Sequence, residues 1–520
     1  MARMYYSYKN ISNGFSLTTV FENGEETTRQ YMIGDAVENL RYVFKDEIRF
    51  ATGTLVDIAY TMADGLMLDL EDPTDVLDRD MILSTITVRP NDGTKDIIIP
   101  LREIVEFDGE FGVARMKFAP FIKADLTLKF SDYRIERASI EVGDTFNKVK
   151  IINPDDVPNP YTGKFTVLSF AYTSNGPNDF NVYGVAFKNV NTGEIVVTDF
   201  ENIHALNEVY SYDIPSVEAL DNIIANLADG DSVIVTNNLD TSGGNGIKIT
   251  QKDIEINIDS SVVTDGTKDS GIRVTGSAIL NGPGKVVNNT PYSGAASGYG
   301  VIGVTGDGEL TINGGGVIAV IDDPVNNGQF GITTHDNAKV TINGGGYAAG
   351  WYCVSGNGSG TSANAVTTIN DGTFVSVADY AIYHPHPGKL IVNGGEISGA
   401  AGAIAANNGT IEINGGTFDV LGDGDTGTWP DGTSGLGEAC INLNARYGDV
   451  TCVINDGKFK VSATNDATKM INVNKTLHNV NLTINGGKFQ IKPEAEWLAP
   501  GKNMSTIVDS EDGLTYWIVK

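Results

Sequence analysis

The stretch Leu310–Gly315 reads Leu-Thr-Ile-Asn-Gly-Gly, and it recurs with small changes up to Ile491. Seven copies are centred on asparagines spaced 21 to 41 residues apart, and a glycine stands two positions after each asparagine. A fixed core separated by intervals of variable length is typical of a solenoid whose insertions lie in outer loops. The repeated residues are Asn313, Asn343, Asn370, Asn393, Asn414, Asn455 and Asn485, with Gly315, Gly345, Gly372, Gly395, Gly416, Gly457 and Gly487.

The side chains around each asparagine alternate with a period of two. Leu310 and Ile312 precede Asn313 on one face of a strand, and Val317 resumes that face in a second strand. The glycine suits a sharp corner with positive φ, and stacked asparagines can hydrogen-bond one above another. The period of two and the glycine corners exclude a helical solenoid and predict a parallel β-helix.

With these motifs, residues 211–520 resemble the right-handed parallel β-helix superfamily, which includes pectate lyases and phage tailspikes. The resemblance implies a mostly β chain that ends in a right-handed parallel β-helix solenoid with a helical cap before its first coil. Val217, Leu220 and Ile223 follow helical spacing, which agrees with such a cap. We therefore predict a capping helix in 211–231, a parallel β-helix in 232–496 and a carboxyl-terminal cap in 497–520.

Two further segments precede the capping helix. Residues 1–152 carry hairpin signals at Asn23-Gly24 and Asn91-Gly93, and Asp35 with Glu38 resembles a capping box that opens a short helix. They predict an α+β or mostly β anchor domain. Prolines mark a linker after residue 152. Residues 153–210 are predicted to form this linker and a small β domain.

Charge and hydropathy exclude several classes of function. The net charge of −30 disfavours binding to nucleic acid or to an anionic membrane surface. No run approaches eighteen apolar residues, and the amino terminus lacks the apolar core of a signal peptide. We expect a virion protein that is assembled in the host cytoplasm. Cys353, Cys440 and Cys452 are interpreted as small buried apolar residues rather than a disulfide framework.

Enzymes with a β-helix use carboxylates on one long face, sometimes with Ca²⁺, so candidate residues must lie outside the repeated core. His335, Asp336 and His386 precede ladder asparagines at similar offsets, and Asp379 lies nearby in sequence. These four are the catalytic candidates. The alternative interpretation, a polar surface strip with some stacking, stays open.

Other residues suit binding better than catalysis. Tyr383 and His384 lie beside the candidate acids, and Trp429 is placed to stack on a sugar ring or on another subunit. The segment 422–433 is rich in Asp and Gly and can supply oxygen ligands to Ca²⁺, or it is a simple insertion. His384 and His386 lack a third ligand, so we predict no metal site and name Ca²⁺ as the only cofactor to consider.

The first functional hypothesis is a structural bacteriophage virion protein, a head or tail fibre or spike. Its amino-terminal domain would dock on other virion proteins, and its β-helix would face outward to adhere to a host surface or polysaccharide. We expect a homotrimer with no nucleic-acid or membrane partner. The alternative is a polysaccharide depolymerase, either hydrolase or lyase. A bacterial surface adhesin would need a signal peptide or an anchor, and the sequence offers neither.

Overall fold

The computed structural model describes residues 4–45, 47–62, 81–107, 113–152, 160–176, 179–242, 246–264, 270–288, 300–318, 330–356, 364–422, 437–463 and 468–520. The chain is mostly β and divides into two units, Met1–Tyr210 and Ser211–Lys520.

The strands of the first unit are β1 (Met4–Phe21), β2 (Glu26–Met32), β3 (Ala36–Phe44), β4 (Glu47–Met62), β5 (Met81–Pro90), β6 (Ile97–Pro100), β7 (Ile104–Glu106), β8 (Val113–Phe130), β9 (Arg134–Glu141), β10 (Thr145–Ile151), β11 (Tyr161–Gly176), β12 (Asp179–Asn189), β13 (Ile195–Asp199) and β14 (Ile203–Ala205). They pair antiparallel in the orders β2-β1-β8-β9, β6-β5-β4-β3-β7 and β13-β12-β11-β10-β14. Short 3-10 turns lie at Leu101–Glu103 and Phe200–Asn202.

The hairpins predicted at Asn23-Gly24 and at Asn91-Gly93 are confirmed. β1 pairs with β2 around Asn23-Gly24, and β5 pairs with β6 around Asn91-Gly93. Gly24 and Gly93 have φ values of 85° and 75°, which explains why each turn carries glycine. One hydrophobic cluster extends from Ala124 to Leu206 and so takes residues from both sides of position 152.

The short helix that we predicted after Asp35 is wrong. Residues 36–44 form strand β3, which pairs with β4 and β7. The carboxylate of Asp35 accepts the backbone N–H of Met32 at 2.7 Å, so it closes the turn before β3 instead of capping a helix. Val37, Leu40 and Tyr42 are buried, because a register shift between Val37 and Leu40 restores the alternation that the helical spacing had obscured.

The strands of the second unit are β15 (Ser211–Asp213), β16 (Ser232–Val235), β17 (Leu239–Asp240), β18 (Ile247–Ile249), β19 (Ile254–Ile258), β20 (Ser261–Thr264), β21 (Ile272–Val274), β22 (Ser277–Asn281), β23 (Lys285–Asn288), β24 (Ile302–Val304), β25 (Glu309–Ile312), β26 (Gly316–Ile318), β27 (Phe330–Thr334), β28 (Lys339–Ile342), β29 (Gly346–Ala349), β30 (Tyr352–Gly356), β31 (Val366–Ile369), β32 (Thr373–Ser376), β33 (Tyr380–His384), β34 (Lys389–Val392), β35 (Glu396–Gly399), β36 (Gly402–Ala406), β37 (Gly409–Ile413), β38 (Thr417–Val420), β39 (Ala439–Asn444), β40 (Val450–Ile454), β41 (Lys458–Val461), β42 (Lys469–Asn474), β43 (Val480–Ile484), β44 (Gly487–Phe489), β45 (Met504–Val508) and β46 (Thr515–Val519). The helix α1 spans Val217–Asn226, and a 3-10 turn lies at Ala495–Trp497.

From β16 to β44 the chain contributes one strand to each of three sheets in turn. Sheet 1 has the order β15-β16-β19-β22-β25-β28-β31-β34-β37-β40-β43. Sheet 2 has the order β17-β20-β23-β26-β29-β32-β35-β38-β41-β44-β46-β45, and sheet 3 has the order β18-β21-β24-β27-β30-β33-β36-β39-β42. Pairing is parallel throughout except for β44, β46 and β45, which pair antiparallel. One hydrophobic core takes buried residues from all three sheets and from α1.

Two kinds of column stack the strands in register. Nδ2 of each ladder asparagine donates to Oδ1 of the preceding one at 2.7–2.9 Å, beginning at Asn281 and ending at Asn485. Aromatic rings also stack, with ring centroids 4.5 Å apart for Tyr347 and Phe374 and 4.6 Å apart for Phe459 and Phe489. The glycine two positions after each of the seven asparagines has a φ between 76° and 138°, a region that disfavours any side chain. The repeated residues therefore hold the stack together.

The three cysteines are free and buried in this unit. Burial raises the pKa of the Cys353 and Cys452 thiols to about 12, and it raises the pKa of the Cys440 thiol well above its usual value. None of them is a thiolate near neutral pH, so they act as small apolar residues. This confirms the interpretation made from the sequence.

Candidate functional site on sheet 3

Four candidate residues, Asp379, Tyr383, His384 and His386, lie in or next to strand β33 of sheet 3, whose sequence is Tyr-Ala-Ile-Tyr-His. Ile382 lies in the main core, where it pairs with Val354 and Ile404. Tyr380 and Tyr383 belong instead to a separate hydrophobic cluster, together with Tyr352, Ala401 and Ala405. Ala405 lies in the next strand, β36, and Ala401 directly precedes that strand, and both small side chains pack in the same cluster as the tyrosine rings. We call Tyr352, Tyr380, Tyr383 and their polar partners the tyrosine cluster.

Tyr383, predicted as a binding contact, is mostly covered. Its exposed fraction is 9%, its ring stacks on Tyr352 with centroids 4.7 Å apart, and its hydroxyl accepts Nδ2 of Asn407 at 2.9 Å. Half-buried Phe330 and Trp351 pack against the same cluster, with their ring centroids 6.1 Å apart. Sequence reasoning missed these two rings. Phe330 pairs with Tyr352 in register on neighbouring strands, and this pairing becomes visible only in the structure.

Asp379 is half-buried and is one of the polar partners in the tyrosine cluster. Its Oδ1 accepts the backbone N–H of Tyr380 at 2.7 Å, and its Oδ2 accepts the hydroxyl of Tyr352 at 3.1 Å. Burial, reinforced by the Asp379 charge, raises the pKa of Tyr352 well above its usual value. Tyr352 therefore stays a hydrogen-bond donor, and Asp379 serves to position strand β33 against β30.

Asp336 lies in an exposed turn and has a φ of 57°. Its Oδ2 accepts the backbone N–H of Gly306 at 3.0 Å, in the turn that precedes it in the stack. Asp336 therefore bonds a turn beside sheet 3, whereas Asp379 bonds strands β30 and β33. Each carboxylate accepts one backbone N–H, and Asp379 also accepts a side-chain hydroxyl.

The two histidines of the His384-Pro385-His386-Pro387 segment are enclosed, with exposed fractions of 3% for His384 and 1% for His386. Their ring centroids are 4.4 Å apart. Nδ1 of His386 accepts the backbone N–H of Gly388 at 3.2 Å, and Nε2 of His384 lies 3.2 Å from the carbonyl oxygen of Gly388. Because Nδ1 of His386 is an acceptor, its neutral ring carries the proton on Nε2.

Burial is the main cause of the low basicity of these rings. It lowers the pKa of His384 to about 3, with a further contribution from His386, and it lowers the pKa of His386 to about 4, with a contribution from half-buried His335. Both rings are neutral at neutral pH and are poor proton donors there. No group of three or more His, Cys, Asp or Glu residues in the described ranges is placed to hold a metal ion.

Acid should destabilise the protein through this histidine pair. The unfolded chain binds protons below about pH 6.5, whereas the folded rings do not until about pH 4, so stability falls as the pH drops between these values. One pKa unit corresponds to about 1.4 kcal/mol, so the pair accounts for several kcal/mol. Urea unfolding at about pH 7 and at about pH 4.5 measures the loss.

The control for this prediction is the double variant His384→Gln/His386→Asn. The glutamine amide replaces Nε2 of His384, and the asparagine oxygen replaces the Nδ1 acceptor of His386, without a titratable ring. We expect a clearly smaller loss of stability between the two pH values than in the wild type. Equal losses would show that these histidines do not carry the acid sensitivity.

Trp429 and the Asp-rich loop up to Thr433 lie almost entirely outside the described residues, so their predicted roles stay predictions.

Among the described residues, no helix is long and apolar enough to cross a membrane.

Comparison with protein-family models, with curated proteins and with solved structures gives no match to this chain. Function must therefore be inferred from the residues and contacts themselves.

Proposed function

We propose that residues 211–520 form a right-handed parallel β-helix. Three observations support this: the chain enters sheets 1, 2 and 3 in a fixed rotation, neighbouring strands pair in parallel, and one core takes residues from all three sheets. A coil that turns through three sheets and rises by one strand per turn satisfies all of them. The unbroken asparagine ladder supports a column of stacked coils in the same way.

We further propose that the protein is a structural component of a bacteriophage virion, a head or tail fibre or spike. Its β-helix is displayed outward and adheres to a host surface or glycan, and its first unit docks on other virion proteins. The working form is a homotrimer on the surface of the particle, with no nucleic acid and no membrane as partners. The net charge of −30 supports the exclusion of anionic partners.

The single observation that carries this proposal is how the candidate chemical groups are used. Asp336 accepts a backbone N–H, Asp379 accepts a backbone N–H and the Tyr352 hydroxyl, and both carboxylates are therefore engaged within the fold. His384 and His386 are buried and neutral at neutral pH. The residues that repeat along the chain are those that stack. Such a pattern favours a rigid, displayed column over a hydrolytic site.

One observation favours the second candidate, a polysaccharide depolymerase. Half-buried Phe330 and Trp351 lie in the same cluster as Tyr352, whose hydroxyl reaches the Asp379 carboxylate. Aromatic rings beside a carboxylate suit the apolar faces and hydroxyl groups of sugars. The same arrangement serves adhesion without cleavage, so only a chemical assay separates the two candidates.

We expect no release of reducing ends or unsaturated sugars when the full-length chain is incubated with a panel of host capsular polysaccharides. A polysaccharide that binds should be recovered at its original length by size-exclusion chromatography. Release that disappears in Asp336→Asn or Asp379→Asn, but persists in the matched surface variant Asp307→Asn, would contradict the structural role. It would establish the depolymerase.

A further inference from the structure

Strand β45 forms the outer edge of sheet 2 at the carboxyl-terminal end of the chain. It pairs with β46, and no other described strand pairs with it. The segment Ser505–Val508 is exposed throughout, with exposed fractions of 44% for Ile507 and 64% for Val508. Side chains on both faces of this segment are therefore accessible, whereas Met504 at the start of β45 packs against the core.

The hydrogen bonds to β46 fix which backbone groups of β45 point outward. Asn503 and Lys520 exchange both backbone bonds, at 3.1 and 3.0 Å, and the N–H of Asp509 donates to Leu514 at 2.8 Å. In an antiparallel pair such residues alternate, so Ser505 and Ile507 also bond to β46. The N–H and C=O groups of Met504, Thr506 and Val508 consequently point away from the sheet.

This short edge strand lacks several of the usual protections against strand pairing. Between Met504 and Val508 there is no proline, no glycine and no charged residue, and the register with β46 has no bulge. Exposed edges in natural proteins usually carry such features, because an open edge is a template for another strand. Because Ile507 and Val508 are also exposed, we expect another strand to pair with this edge.

We propose that the occupant is β45 of a second copy of this chain, paired antiparallel about a two-fold axis at Thr506. In this register Met504 of one copy faces Val508 of the other, and Thr506 faces Thr506. Every outward-pointing backbone group then finds a partner in the other copy. Shifting the register by two residues in either direction leaves some of these groups unpaired.

The absence of charged side chains on β45 lets two acidic copies approach each other at this edge. Two chains with a net charge of −30 each repel across most of their surfaces, whereas β45 is uncharged. Beyond the strand ends, the register brings the segment before β45 in one copy, which carries Lys502, toward the turn after β45 in the other copy, which carries Glu511. The two-fold symmetry repeats this approach at the other end of the strand pair. The proposal goes beyond the virion role, since it joins two columns at their carboxyl-terminal ends.

Light scattering on the full-length protein tests the pairing. In Thr506→Lys two lysines meet at the symmetry axis, so the mass should fall two-fold relative to the wild type at the same concentration. Thr515→Lys carries the same charge change at an exposed position of β46, away from the axis, and should keep the wild-type mass. A wild-type mass that Thr506→Lys leaves unchanged overturns the proposal.

Cross-linking gives a second readout that does not depend on a destabilising charge. The native cysteines are buried, so Thr506→Cys should be the main target of a short bis-maleimide and should yield a covalent pair of chains. Thr515→Cys should yield little. Absence of the pair in Thr506→Cys overturns the proposal as well.

The masses also separate this inference from the homotrimer. A wild-type mass of six chains that falls to three chains in Thr506→Lys supports both the pairing and the trimer. A wild-type mass of two chains that falls to one chain supports the pairing and contradicts the trimer. Three chains that remain three support the trimer and overturn the pairing.

Discussion

Replacing Phe459 by alanine is expected to lower the free energy of unfolding of the second unit by about 3–5 kcal/mol. Phe459 is fully buried between two parallel rings, with its centroid 4.8 Å from that of Phe418 and 4.6 Å from that of Phe489. Removing the middle ring leaves a cavity that both neighbours face. Since the same strands pair in register, neither ring can move to fill it without breaking that register.

The matched control is Phe459→Leu, which keeps most of the apolar volume and should cost about 1 kcal/mol. Ile397 occupies the equivalent position between Phe374 and Phe418, so this column accepts an aliphatic side chain. Urea unfolding followed by circular dichroism measures both variants. An alanine variant within about 0.5 kcal/mol of the wild type would mean that the ring column does not contribute to the core.

Replacing Gly345 by alanine should cost about 2–5 kcal/mol, the sum of backbone strain and overpacking. Gly345 has a φ of 102°, and a Cβ there would lie 2.2 Å from the carbonyl oxygen of Gly315 in the preceding corner. That oxygen belongs to the backbone, which the asparagine ladder and the strand pairing hold in place. The clash cannot be relieved by rotating a side chain.

Gly346, the next residue, is the control. A Cβ at Gly346 would meet nothing within 4 Å, and Gly346→Ala is expected to change stability by no more than about 0.5 kcal/mol. Thermal unfolding of the two single variants under identical conditions makes the comparison. Equal losses in Gly345→Ala and Gly346→Ala would be incompatible with a corner that stacks backbone on backbone.

The repeating part of the fold could be predicted because its physics is local. A strand face and a corner are predicted by a few neighbouring residues, Leu310, Ile312 and Asn313. Gly315 indicates the positive φ that the corner needs. The helix α1 could also be predicted from the sequence, because the spacing of its apolar residues matches the face that it buries. By contrast, the spacing of Val37, Leu40 and Phe44 fits a helix, but these residues form strand β3. The pairing of β3 with β4 and β7 outweighs the local helical preference.

The candidate site was harder to predict, because burial there depends on residues far away in sequence. His386 is enclosed because Gly356 lies against it, where a Cβ would come within 2.2 Å of its ring. Tyr383 is covered because Ala405 pairs with it and Tyr352 stacks on it. A search of the sequence finds chemically suitable side chains, but it cannot tell which of them a neighbouring strand will cover.

The most direct test of the virion proposal is immunogold electron microscopy of purified phage particles whose genome encodes this chain, with antibodies raised against residues 211–520. We expect gold on the surface of intact particles, because the proposed β-helix faces outward. Particles without gold, together with the chain recovered only from the soluble fraction of the lysate, would contradict the proposal.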